Sequence, residues 1–439
     1  MKTGRFAAVL LIATALAGCG VFKGGKPKTT LLGDRIAVLT SENSAELDPS
    51  IAAVPVTVPP SEANDSWTQS GGNAQKSMGN VALKPTLARA WTVSIAGSSK
   101  QVRLAAAPVV AGNRVYVMDT EAVVRAIDAA TGGVVWSSRL TDPAGNERSL
   151  FGGGVSVDGD RLYATNGVGD VVSLEAATGK VVWKKRPGGP LRGAPTVSNG
   201  NVYVVSPDNQ LFALNQATGE TIWNESGTLE AAGVFGVAAP AAAQGTVVAG
   251  FSSGELTAYR YENGRAVWQD ALSRTSISTA VSTLSDIDAD PVIDGGRVYA
   301  VGEGGRMVAL ELTTGQRLWE LNVSGIATPS VVGDWIFVVT DDARMLCIQR
   351  ATGRIRWISQ LPRWRNEEKK KGLIGWTGPV LAGDRLLVVN TQGEMASVTP
   401  ADGKISAPIE AGKAFYLPPV VAGNTLFLLD NDGKLSAWR

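Results

Sequence analysis

Short apolar runs separated by Gly, Asn and Asp turns fill the chain from residue 67 onward. In the first clear unit they are Pro108–Val110, Arg114–Met118 and Val123–Asp128, with Gly133–Trp136 making a fourth. Runs of this length, bounded by turn residues, predict strands rather than helices. The stretch Ala130–Trp136 (ATGGVVW) recurs as Ala177–Trp183, Ala217–Trp223, Glu262–Trp268, Thr313–Trp319, Ala351–Trp357 and, weakened, Ala401–Ala407. Aligned on the third residue of each copy, Gly132, Gly179, Gly219, Gly264, Gly315, Gly353 and Gly403 fall into register. Pro108, Val155, Pro195, Pro240, Pro291, Pro329 and Pro379 then lie at one constant offset upstream. Four short strands per unit of roughly 40–50 residues predict a β-propeller blade. The Thr-Gly pair is the expected turn between the third and fourth strands, because a tight hairpin needs the positive φ that Gly supplies.

An eighth unit begins at Pro419 and ends at Arg439 without a fourth strand. Upstream, Leu87–Trp91 carries an unpaired strand pattern and the missing Trp. The expectation is an all-β, eight-bladed β-propeller over residues 67–439. An N-terminal strand completes the last blade and closes the ring, which removes exposed sheet edges. Ala407 replaces one Trp, so that interface is expected to be the weakest. The position six before each reference Gly is always small (Ala126, Ser173, Ala213, Ala258, Ala309, Cys347, Ser397) and is followed by a larger residue. This implies a tight slot between neighbouring sheets, and it makes Cys347 a packing residue.

All length variation falls between the Trp position of one unit and the Pro position of the next, over spans of unequal length. In a propeller these connections emerge on one face, and insertions on one face mark the binding side of a repeat protein. Segments 224–239, 269–290 and 358–378, with 141–154 beside them, are therefore the candidate surface. Within it, Asp286, Asp288 and Asp290 alternate in Ser285–Pro291 (SDIDADP), read as an exposed acidic edge for a partner. The stretch lacks the Gly and closing Glu of an EF-hand loop. Glu367–Lys371 reads as a solvated loop tip, and Leu191-Arg192-Gly193 as either a contact or a turn.

Composition narrows the chemistry. The 439 residues are 44% hydrophobic, with net charge +1 and no His. The balance gives no footprint for nucleic acid. The absence of imidazole removes the usual general base and the Ser-His and Cys-His nucleophile pairs. At the N-terminus Lys2 and Arg5 precede the apolar run Phe6–Ala17, a short export signal rather than a membrane span. Leu16-Ala17-Gly18-Cys19 resembles a bacterial lipobox. The implied division is 1–18 signal peptide, 19–66 lipidated Cys19 and flexible tether, and 67–439 propeller. Gly20 resembles an outer-membrane sorting pattern. The tether would reach roughly 35–40 Å by the square-root rule, with Leu31–Thr40 as a candidate strand within it.

Units carrying this Thr/Asp-Gly…Trp phrase resemble the pyrroloquinoline-quinone-type repeat. That repeat occurs in quinoprotein alcohol and glucose dehydrogenases and in BamB, the lipoprotein subunit of the outer-membrane β-barrel assembly machine. The lipobox, an eight-blade chain with no added domain, and the SDIDADP loop make the likeness to BamB the closer one. It implies a non-catalytic scaffold without a cofactor. It also implies lipid anchoring at the periplasmic face of the outer membrane, and binding to the POTRA domains of BamA within the assembly complex. Nascent outer-membrane proteins are implied as further partners. Carried over residue by residue, it makes Asp286 and Asp288 BamA-contacting residues. The family's Leu-x-Leu-Arg-Gly loop falls one blade earlier, where this chain has Val234 and Phe235 and no Arg; Arg192 offers the matching letters one blade too soon. A quinone-dependent periplasmic dehydrogenase and another envelope-interaction propeller are the alternatives. Against the first, the sequence has no adjacent Cys pair.

Overall fold

The structure, a computed structural model, describes residues 45–142, 149–191, 193–229, 238–272 and 285–439. Eight four-stranded antiparallel sheets follow one another around a ring. Blade 1 contains Val109–Ala111, Arg114–Met118, Val123–Asp128 and Val134–Arg139. Blades 2 to 7 repeat this order, and their first strands begin at Val155, Thr196, Ala241, Val292, Ser330 and Trp376. Blade 8 takes Val420–Ala422, Thr425–Leu429 and Lys434–Trp438 from the C-terminus and Arg89–Ser94 from the N-terminus. Trp91 sits opposite Ala437 in that pairing, as ring closure by the N-terminal strand requires.

The repeated phrase builds the seams. The seven reference glycines have φ between 71° and 77°, so the turn does demand left-handed backbone. A second constraint accompanies it. A Cβ on Gly179 would lie 2.4 Å from Trp136, and the other six reference glycines face the preceding blade's Trp in the same way. Each Trp therefore lies flat on the next blade's turn. Its indole Nε1 donates to the carbonyl three residues before the Gly, at 2.7–3.1 Å in all seven seams from Trp91 to Trp357. Burying a tryptophan while satisfying its N–H secures each blade to its neighbour.

The small residues have a more specific role than a slot between sheets. Ala126 stands in register between Tyr116 and Trp136 on one face of blade 1. Its small side chain lets the two rings meet across it, with centroids 6.0 Å apart. Tyr163–Trp183, Tyr203–Trp223, Tyr299–Trp319 and Phe337–Trp357 repeat the arrangement. Cys347 occupies this position between Phe337 and Trp357, fully buried, and burial pushes its thiol far above the ordinary value. At the seam between blades 7 and 8, where Ala407 replaces Trp, a different device operates. Val81, Leu83 and Trp438 join the apolar cluster of this seam, and the Arg89 guanidinium lies 4.7 Å from the Trp438 ring.

Residues 45–66 are not the free tether their composition suggests. Asp48 N–H donates to Ile355 O, Arg356 Nε donates to Val54 O, and Ala45, Ile51 and Val56 are buried. The few apolar residues of this Pro-rich stretch are enough to lay it over blades 5 to 7. Cys19 and Leu31–Thr40 lie outside the described residues.

Candidate functional site: the connection face and the central channel

In every blade the first strand starts on the side where the inter-blade connections emerge. The hairpins between second and third strands share that side, so connections and these hairpins form one face. The short hairpins after the first strands and the Thr-Gly turns form the other, the hairpin face.

The innermost strand of a blade has one free edge, which faces the channel. A buried backbone N–H or C=O there must find a partner. Residues 64–81 provide most of them. They pass through the channel and reach one register position in blade after blade, two residues beyond each conserved Pro or its equivalent. Trp67 exchanges both backbone hydrogen bonds with Val110 at 2.8 Å. Val157, Ala242 and Ile293 donate to the carbonyls of Thr68, Ala74 and Gln75. The Gln69 side-chain amide imitates a strand, accepting from Val197 N–H and donating to Val197 O, both at 2.9 Å. Val81 N–H donates to Leu381 O, and Asn64 Nδ2 to Val421 O. This plug has no repeat copy and no alternating pattern, so periodicity missed it. The available signal was a concentration of Gln, Asn and Gly (WTQSGGNAQKSMGN) immediately before a closing strand.

The plug forms the floor of a cavity of about 370 Å³ that opens toward the connection face. Asp288 and Asp290 line it. Asp290 is the anchor: its carboxylate accepts from Ser70 Oγ at 2.5 Å and from Ala239 N–H at 2.8 Å, while its own N–H donates to Thr328 Oγ1 at 3.1 Å. It ties the plug to the starts of blades 4 and 6. Lys76, 4% exposed, donates to Thr196 Oγ1 at 3.1 Å, and burial depresses it to about 8 against the pull of Asp290.

The expected exposed acidic edge is largely a wedge. Asp286 and Asp290 are buried, as are Ile287 and Ala289, because Ile287 fits against the bare Cα of Gly250 and donates its N–H to Phe251 O. Asp288 alone of the three is half-buried. Burial, then Asp286, pushes its carboxyl up to about 7. Glu303, in the adjoining hairpin of blade 5, is also raised to about 7, by burial and then by Asp288, Asp341 and Asp286. Asp341 in blade 6 is raised by burial. Two other buried acids of this face meet bases: Arg125 pairs with Asp119, and Lys184 and Arg186 pair with Asp170. Among the described residues no group of acids has the geometry to hold a metal ion. Arg192, Val234 and Phe235 lie outside the described residues. Glu367–Lys371 forms the tip of a short hairpin between Trp364–Asn366 and Lys371–Leu373, exposed as expected.

The sequence profile of the outer membrane protein assembly factor BamB matches residues 76–149, 120–359 and 362–438. The chain belongs to the BamB family. BamB of Burkholderia pseudomallei is 31% identical over 370 residues, covering 81% of this chain and 90% of the relative. The crystal structure of BamB from Moraxella catarrhalis superposes with a TM-score of 0.68 at 20% identity, covering 81% of this chain and all of that one. The quinohemoprotein alcohol dehydrogenase of Comamonas testosteroni follows at 0.64 and 13% identity, covering 89% and 82%. At such identities these likenesses show a shared propeller and nothing of chemistry. The BamB family is one of assembly factors rather than dehydrogenases, so the chain is placed outside the enzymes that share its fold.

Proposed function

We propose that this protein is a non-catalytic lipoprotein scaffold in the assembly and insertion of outer-membrane β-barrel proteins. BamB membership, combined with Asp288, Glu303 and Asp341 gathered on the connection face with raised carboxyls, is the observation that carries the reading. Cys19, lipid-modified, holds the chain at the periplasmic face of the outer membrane, and the segment between Cys19 and residue 45 links anchor to ring. The connection face docks on the POTRA domains of BamA. Asp288 supplies the accessible carboxylate, and Asp286 supports the wedge from below. Arg192, Val234 and Phe235 belong to the connections that complete the contact. Docked in this way, the ring orients the POTRA domains and receives nascent barrel strands. Rim carboxylates of this kind govern association rate and partner choice more than bulk affinity. Affinity recovery of BamA from detergent-solubilised envelopes tests the reading. The tagged wild type is expected to retain BamA and the Asp288→Arg variant to lose it. A wild-type protein that recovers no BamA overturns it.

A further inference from the structure

The plug leaves one blade unserved. In all eight blades the same register position of the innermost strand faces the channel: Val110, Val157, Val197, Ala242, Ile293, Val331, Leu381 and Val421. Residues 64–81 hydrogen-bond this position in seven of them. Among the described residues, no hydrogen bond from the plug reaches Val331 of blade 6. The cavity lies against this strand, walled by Ala327, Thr328, Pro329, Ser330 and Val331. Its lining also includes two large apolar side chains left in solvent, Ile326 at 52% and Tyr416 at 55% exposure. A buried free strand edge inside an apolar funnel with an exposed apolar rim is the surface that an extended polypeptide completes by strand addition.

We infer that the inner edge of blade 6 receives one extended peptide segment from a partner polypeptide, paired to the backbone of Val331, with a basic side chain directed at Asp288. Charge selects this occupant. Asp288 lines the same cavity; Asp286 adds to the burial that raises its carboxyl, and Asp288 in turn raises Glu303. The basic residue of the wall, Lys76, is turned to Thr196 and attracted to Asp290 instead. A lysine or arginine brought in by the peptide would neutralise Asp288, while an acidic peptide would add to the crowding. The inference rests on the proposed function only for the class of partner, an unfolded or extended chain.

The probe is a fluorescein-labelled, end-capped hexapeptide of alternating Thr and Val with one central Lys, and a matched peptide with Glu in place of Lys. Fluorescence anisotropy with the full propeller is expected to show binding of the Lys peptide and at least about tenfold weaker binding of the Glu peptide. Val331→Pro removes the channel-facing N–H without touching the ladder, because Pro is tolerated on a free strand edge. It is expected to weaken binding by about tenfold. Ile326→Ser, at an exposed site, removes the apolar rim without adding charge and is expected to weaken it similarly. Hydrogen exchange at Val331 N–H is expected to slow by about tenfold with peptide, with Val110 N–H unchanged. No anisotropy change at about 1 mM peptide, equal binding of the two peptides, or binding that survives both variants overturns the inference. Peptide binding without BamA recovery leaves it standing and removes the assembly reading; BamA recovery without peptide binding does the opposite.

Discussion

The two faces of the ring obey different rules. On the hairpin face seven of the eight seams repeat one device. A glycine near φ 70° accepts the preceding blade's indole, and the indole N–H reaches a fixed carbonyl. On the connection face the segments that join one blade to the next differ in length and sequence. Asp119 and Asp170 are paired with bases, whereas Asp288, Glu303 and Asp341 crowd together with raised carboxyls. The contrast teaches that repetition in this chain encodes closure of the ring, and interruption encodes what the ring meets. Stability and partner binding should then separate by face when side chains are changed.

The largest effect belongs to the seams. Trp183→Ala removes a buried ring stacked on Gly219 and the hydrogen bond to Gln216 O. It is expected to cost about 3–5 kcal/mol, read as a lower denaturant midpoint, while the folded fraction keeps its partner. A smaller loss follows from the plug. Gln69→Leu leaves Val197 N–H and C=O without their partner in the channel wall, for about 1–3 kcal/mol per unsatisfied group. If chemical denaturation shows no change, the plug is an ornament rather than part of the core.

The smallest stability effect is a pH dependence on the connection face. Asp288 and Glu303 are raised to about 7 from ordinary values of 3.8 and 4.5. In this range the folded state holds more protons than the unfolded chain. The associated stability is present in full below the unfolded values and is lost as pH rises through about 7. Melting temperature should therefore decline between about pH 4 and pH 7, and Asp288→Asn should shallow that decline. An Asp288→Asn protein with an unchanged slope would show that this cluster does not carry the dependence.

The ring was legible because its signal is periodic. Gly132 and its six counterparts, the offset prolines and the orphan Trp91 located strands, blade count and closure without any contact being known. The acidic stretch was legible as letters but not as surface. Alternation suggested that Asp286, Asp288 and Asp290 share an exposed side, yet Ile287 and Gly250 draw the segment into a seam and bury two of the three. Residues 64–81 were illegible for a related reason. Their partners are main-chain groups on blades up to several hundred residues away, and main-chain recognition leaves little constraint on side-chain type. Gln69 and Asp290, which make specific side-chain bonds, are the exceptions. The reach of residues 45–58 over blades 5 to 7 depends on a few apolar contacts that Pro-rich composition hid.

If the connection face binds the partner and the hairpin face only holds the ring, substitutions on the two faces must differ in BamA recovery. Recovery of BamA with tagged Asp288→Arg, compared with tagged Gly219→Ala as the hairpin-face control, tests it most directly. Both are scored only on protein shown to be folded. Loss of BamA with Asp288→Arg and wild-type recovery with Gly219→Ala are the expected results. Equal recovery by the two, or loss confined to Gly219→Ala, would contradict it.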